Sequence, residues 1–355
     1  MKKIISFPHM DQYYLPLKKL MESLTNLNVE VAPPITKKTL MIGSKHSPTD
    51  TCVPFKYNMG NYIESLENGA NVLFQGGGGC RYRYYAEVQE VILKDLGYDF
   101  EFYKLINHDF FSIFHVYKLF KSLNPKLKFF YFLYRFIYTF FFIFFMDQCD
   151  IYIRSNIGFE VKKNSFVSLK TKMHERFYQT NSIFKLTFLY FKYRKKFRKL
   201  EINKPKDCFK VGIIGELFTE MEPFSTYELE KKLAIMNVSI TRFTNLSYLL
   251  WQKKFMIRHM LRVSKKYCKY TLGADGLDNV YRSIKLAKKN YDGIIHTKPF
   301  ACTPEVGAMG ILQKVCEKEN MPILFLSFDS GDSESALNTR LEAFYDLIKF
   351  RKEKK

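Results

Sequence analysis

Three cysteines stand where this chain could do metal or redox chemistry, each at a turn that leads into a helical pattern. Cys302 lies in the stretch His296-Thr297-Lys298-Pro299-Phe300-Ala301-Cys302-Thr303-Pro304-Glu305. A β-like run from Tyr291 to Ile295 precedes that stretch, and apolar residues at Val306, Met309, Leu312, Val315 and Cys316 follow it at helical spacing. Thr303 reads as an N-cap, Pro304 suits the first helical position, and Glu305 sits in the positive first turn. Cys302 thus falls just outside a helix N-terminus, where a thiolate is stabilised. Cys52 repeats the punctuation, two residues before Pro54 and a helical run through Tyr57, Met59, Tyr62, Ile63 and Leu66. Cys80 matches in context: a buried strand Val72-Leu73-Phe74-Gln75, a loop Gly76 to Gly79, then a helical pattern at Tyr85, Val88, Val91 and Ile92.

Soft thiolates suit iron–sulfur clusters or zinc. A thiolate-bound cluster is anionic, and helix N-termini facing it would offset that charge. A set of three ligands would leave one iron without a protein ligand. The spacing lacks the dense C-x2-C pattern of a ferredoxin or zinc ribbon, so three unrelated buried or loop cysteines remain an alternative at this point.

The positioning elements alternate between strand and helix. Lys2 to Ser6 predicts a first strand, Tyr13 to Leu27 an amphipathic helix, Val29 to Ala32 a second strand and Phe100 to Tyr103 a further one. Such alternation predicts a doubly wound parallel sheet over residues 1–106, carrying Cys52 and Cys80. Residues 107–205 read as helices only, and Phe129 to Met146 is apolar enough to meet the length of a membrane span. Arg135 falls in its middle, however, and shares a stripe with Tyr131, Tyr134, Tyr138 and Thr139. That stripe predicts a helix packed on protein rather than lipid. Alternation resumes over 206–355, with strands at Phe209 to Gly215, Val238 to Arg242 and Ile323 to Phe328. Helices are expected at Ser225 to Met236, Trp251 to Tyr270 and Leu337 to Phe350, giving a second α/β domain that carries Cys302. The fold class expected is therefore α/β, two doubly wound parallel-sheet domains with a helical segment between them.

At 355 residues and 47% hydrophobic content the chain can bury large cores. Seven scattered cysteines and an N-terminus with no signal-like pattern argue for a reducing, cytoplasmic setting without disulfides. The net charge of +21 admits nucleic-acid or anionic-membrane partners. Its excess is mostly dispersed lysine, with a dense block from Lys192 to Lys199 and a basic tail from Lys349. No zinc finger, RNP motif or KH-type loop accompanies it, so a solvated basic face is the expectation.

Several stretches together resemble the 2-hydroxyacyl-CoA dehydratase and double-cubane-cluster superfamily. They are Cys52-Val53-Pro54-Phe55-Lys56 with Gly60, Gly76 to Tyr85, Val211 to Glu216, Lys298 to Glu305, and Thr339 to Phe344. They run in the family's order across nearly the whole chain. The chain is most similar to stand-alone versions of the cysteine-bearing region of CoA protein activase relatives. The resemblance implies that Cys52, Cys80 and Cys302 bind a [4Fe-4S] cluster, single or half of a double cubane, between α/β domains. It further implies a separate ATP-hydrolysing activator that delivers a low-potential electron, and a homo- or heterodimer with a related subunit. The activator's own phosphate-binding glycine motifs are absent here, so ATP hydrolysis is not expected of this chain.

Three functions fit these readings: a reductive dehydratase-like component acting at an open cluster iron, a non-catalytic cluster scaffold or electron carrier, and a basic RNA- or membrane-associated protein with structural cysteines. Cys316 reads as core, while Cys149, Cys208 and Cys268 share no turn context. Arg81, Arg83 and Lys298 are candidate anion contacts, although each singly suits a surface or salt-bridge role. Gly76 to Gly79 reads equally as an anion-approaching loop and a tight turn. His296 is expected to bond backbone at a strand end, with a fourth-ligand or proton-donor role as the alternative, and Glu216 and Glu222 lie on a loop at the functional end of a strand, which reads equally as a solvated loop.

Overall fold

The computed structural model describes residues 2–106 and 112–354, which form two compact units. The first comprises Met1–Ile143 and Phe177–Leu186, the second Phe144–Arg176 and Thr187–Lys355. The helical residues expected to stand between two domains thus divide between the units, and Asn107, where that segment was expected to begin, lies outside the described residues.

In the first unit the chain runs β1 (Ile4–Ser6), α1 (Tyr14–Thr25), β2 (Asn28–Val29), α2 (Lys37–Lys45), α3 (Val53–Glu67), β3 (Val72–Gln75), α4 (Tyr85–Asp95), β4 (Glu101–Lys104), α5 (Ile113–Leu123) and into the long α6 (Phe129–Asn156). All strands pair in parallel, in the order β2-β1-β3-β4. Side chains alternate across the sheet, so Val72 and Phe74 of β3 pack with Leu20, Leu24, Phe120 and Phe132, whereas Leu73 packs with Phe55, Tyr62 and Leu93 on the other face. Burial on both faces explains the continuous apolar strand. Two glycines let α2 and α3 cross closely: a Cβ at Gly43 would lie 1.8 Å from the Lys56 carbonyl oxygen, and one at Gly60 would lie 2.0 Å from that of Thr39. Residues Val53 through Leu66 of α3 are buried as a result, which fixes the helix that Cys52 opens.

Next come α7 (Ser165–Gln179) and α8 (Ile183–Arg198), followed by β5 (Lys210–Gly215), α9 (Leu217–Met221), α10 (Leu229–Ile235), β6 (Ser239–Arg242), α11 (Lys253–Ser264), α12 (Gly276–Lys288), β7 (Gly293–Pro299), α13 (Thr303–Lys318), β8 (Ile323–Phe328) and α14 (Glu334–Glu353). The second sheet is also all parallel, in the order β6-β5-β7-β8, and so repeats the first sheet's topology. Ile295 joins Leu326, Leu341 and Phe344 on the α10/α14 face, and neighbouring Ile294 joins Val280, Leu312 and Val315 on the α12/α13 face. The expected fold class, two parallel-sheet α/β units, is therefore what the chain adopts.

Several local expectations are corrected. The helix expected from Ser225 to Met236 is broken, because Tyr227 and Glu228 adopt left-handed backbone between a short 3-10 turn and α10. The region from Trp251 to Tyr270 is helical only to Ser264, with a π turn at its start. The stripe on α6 divides in its exposure. Arg135, Tyr138 and Thr139 are buried, whereas Tyr131 and Tyr134 are exposed. Within the first unit Arg135 Nε donates to Ser23 Oγ at 2.9 Å, and the Tyr138 hydroxyl donates to the Thr180 carbonyl at 2.5 Å. In the second unit Arg154, at the end of α6, bonds Glu230 at 2.9 Å, and Glu230 is shared with Arg242 at 2.8 Å. Among the described residues α6 is the one helix long and apolar enough to cross a membrane, and these partners on its polar side are protein.

Candidate functional site

In both sheets the strand order reverses beside the first strand, between β1 and β3 and between β5 and β7. Open parallel sheets bind ligands at such points, outside the carboxyl ends of their strands. Cys80 follows β3 and Cys302 follows β7, so the two occupy equivalent positions in the two topologies. Cys52 and Cys302 are themselves the N-caps of α3 and α13, each with a proline in the first two helical positions. Thr303, expected as the cap, is instead the first residue of α13. Cys80 caps a single 3-10 turn, Arg81–Tyr84, that runs directly into α4.

Within the first unit, Tyr85 meets the thiol of Cys52. Its hydroxyl lies 2.9 Å from Cys52 Sγ. Burial pushes the Tyr85 hydroxyl far above the ordinary tyrosine range, and the facing Cys52 and nearby Cys80 add to that push against the pull of Arg81. Tyr85 is thus a hydrogen-bonding group set beside the Cys52 sulfur. The glycine loop ahead of Cys80 is packed tightly at its centre: a Cβ at Gly77 would lie 2.9 Å from the Ile106 side chain. Asn58 on α3 steadies the 3-10 turn by donating to the Tyr82 hydroxyl at 2.7 Å.

Within the second unit, Cys302 is buried and the N-terminus of its helix is tied to the sheet by a buried polar network. Glu305 accepts from His296 Nε2 at 2.7 Å and from Asn279 at 2.8 Å, and Asn279 also bonds both the N–H and the carbonyl of Gly215. His296 therefore bonds a carboxylate across the strand-to-helix turn rather than backbone, because Glu305 is brought one helical turn down onto the end of β7. A Cβ at Gly215 would strike the Thr297 carbonyl oxygen at 1.9 Å, and the same carbonyl accepts from Glu216 N–H at 2.9 Å. Buried Lys298 reaches the field of Cys302 and Glu305. Burial lowers its pKa, and these two groups oppose that fall.

Beside this network, Glu216 caps α9 by accepting from Phe218 and Thr219 N–H, and burial raises its pKa to about 7. Glu220, one turn on, is pushed by burial up to about 8 against the pull of Arg242 and Arg282. Glu222 is buried and caps the following 3-10 turn. Of the two glutamates expected on this loop, Glu222 is buried and Glu216 half-buried, so neither is a fully solvated group. Cys316 and Cys149 are buried in apolar surroundings that push each thiol up to about 12, and Cys268 donates to the Tyr270 carbonyl at 2.9 Å. Tyr85 and Asn279 carry the local geometry, and sequence reading assigned neither of them a role. Tyr85 was legible only as an apolar helix position, and Asn279 lies on α12, for which no helical pattern was noted.

Residues 230–348, about a third of the chain, match the family model of the 2-hydroxyglutaryl-CoA dehydratase D-component. The matched segment runs from α10 into α14 and contains Cys302, while Cys52 and Cys80 lie outside it. No curated protein matches the chain. The second unit is thus similar to a component of the dehydratase superfamily. Among the described residues no group of three or more His, Cys, Asp or Glu side chains is gathered as a metal-binding set. The donor chemistry nevertheless fits a thiolate-ligated cluster, since capping thiols and helix N-termini together suit an anionic group.

Proposed function

We propose that this chain is an iron–sulfur component of the 2-hydroxyacyl-CoA dehydratase type, with Cys52, Cys80 and Cys302 as the ligands of a [4Fe-4S] cluster. The observation that supports this most is the position of Cys302, the N-cap of α13 at the carboxyl end of β7 and inside the dehydratase-like segment. Cys80 at the matching place in the first sheet and Cys52 at the N-cap of α3 supply the rest of the set. When bound, the cluster would supply a low-potential electron for reduction of an acyl-CoA-type substrate.

The chain's own groups have distinct parts in this reading. Tyr85 places its hydroxyl 2.9 Å from the Cys52 sulfur. Lys298 brings a buried cation to the edge of the site, and the His296–Glu305–Asn279 network fixes the turn that presents Cys302. The electron comes from a separate ATP-hydrolysing activator, and a related subunit, of this chain or another, completes the working assembly. The test is anaerobic purification with iron and sulfide assays, followed by reduction with an activator and ATP monitored by electron paramagnetic resonance. The expected result is about four irons and four sulfides per cluster and an ATP-dependent one-electron signal. Protein that takes up no iron under reconstitution would refute the proposal.

A further inference from the structure

Helix α8 has two faces of opposite purpose. Leu186, Tyr190, Tyr193 and Phe197 recur at helical spacing and are buried, so they form its inner stripe. On the opposite side Phe184, Phe188 and Phe191 are 87%, 68% and 57% exposed. Lys192, Lys195 and Arg198 are also exposed and follow them on the outward half of the helix, with exposed Lys199 just past its end. Arg194 and Lys196 fold back over the rings of Tyr190 and Tyr193. Between Glu175 and Glu201 the chain has eight cations and no carboxylate.

We propose that the outward face of α8 is a peripheral docking surface for an anionic lipid bilayer, with the phenylalanines entering the acyl boundary and the basic half meeting headgroups. Exposed aromatics beside a one-signed basic run are the combination that interfacial helices use. A bilayer of anionic lipid complements both halves at once, since lysines near it are attracted and phenyl rings leave water. Protein interfaces are depleted of lysine at their cores, and a nucleic-acid backbone would cover the charges but leave the rings in water. Aromatic character continues at the start of the helix, where Tyr134 on α6 is 39% exposed and donates to the Asn181 carbonyl at 3.0 Å. The basic half rules out a span by α8 itself, so the helix lies in the plane of the surface.

Co-sedimentation with vesicles of phosphatidylcholine, with and without phosphatidylglycerol, tests this on the full-length protein. Binding should be at least about tenfold stronger to the anionic vesicles and should weaken with added salt. The triple substitution Phe184→Ser, Phe188→Ser, Phe191→Ser should abolish vesicle binding, and Lys192→Gln with Lys195→Gln and Lys199→Gln should remove the preference for anionic lipid. Both variants should keep the wild-type circular dichroism spectrum, because every substituted side chain faces outward. Equal binding to both vesicle types, no binding to either, or loss of self-association or oligonucleotide binding in place of lipid binding would overturn the proposal.

Discussion

His296 and Glu305 face each other at 2.7 Å with both side chains fully buried, joining the end of β7 to the first turn of α13. Asn279 completes the link to Gly215, so one carboxylate ties two strands and two helices around the turn that presents Cys302. Glu305→Ala would leave a histidine and an amide buried without their acceptor. Leaving a buried donor unsatisfied costs about 1–3 kcal/mol. Urea unfolding of the second unit should show that loss, and Glu305→Gln, which keeps one acceptor oxygen, should lose less.

Close crossing of α2 and α3 depends on two missing side chains. Gly60→Ala places a methyl group 2.0 Å from the Thr39 carbonyl oxygen, and Gly43→Ala is tighter still at 1.8 Å from that of Lys56. Backbone cannot yield as a flexible side chain can, so each substitution should destabilise the first unit by about 2 kcal/mol or more. Thermal melting checks this, and Gly69→Ala serves as the comparison, since no atom lies within 4 Å of its added Cβ and only its left-handed backbone resists.

Half-buried Glu216 and buried Glu220 give the second unit a pH dependence of definite sign. Their folded pKa values of about 7 and about 8 lie above the ordinary carboxyl value of about 4.3. Below about pH 4 both states hold the protons, and the favourable contribution is complete. As pH rises toward about 8 the folded state binds more protons than the unfolded one, so stability falls and the contribution is lost. Glu220→Gln should therefore gain on wild type as pH rises, by more than about 1 kcal/mol at pH 8. Urea unfolding between about pH 5 and pH 8 measures it, and parallel curves for the two proteins would contradict it.

Much of the fold was legible because parallel sheets buried on both faces write themselves as short apolar runs, as Val72-Leu73-Phe74 and Ile294-Ile295 do. The cysteine turns were legible because proline near a helix start leaves a local signature at Pro54 and Pro304. What escaped were relationships across the chain. Nothing near Glu305 announces Asn279, and nothing near Cys52 announces Tyr85, because these contacts join residues 26 and 33 positions apart. The break at Tyr227 and Glu228 also escaped, since neither residue type favours left-handed backbone and tertiary packing imposes it. On α6 the polar stripe was legible but its surroundings were not: Ser23 and Thr180, which receive Arg135 and Tyr138, come from distant sequence.

The central claim is that Cys52, Cys80 and Cys302 are the cluster ligands. Iron and sulfide content of anaerobically reconstituted Cys52→Ser, Cys80→Ser and Cys302→Ser, with Cys316→Ser as the control, tests it most directly. Each of the first three should lose most of its bound iron and the associated visible absorption. Cys316→Ser should keep both, because that sulfur is 2% exposed in the apolar core beneath α13. Equal iron in all four variants would contradict the assignment and the function built on it.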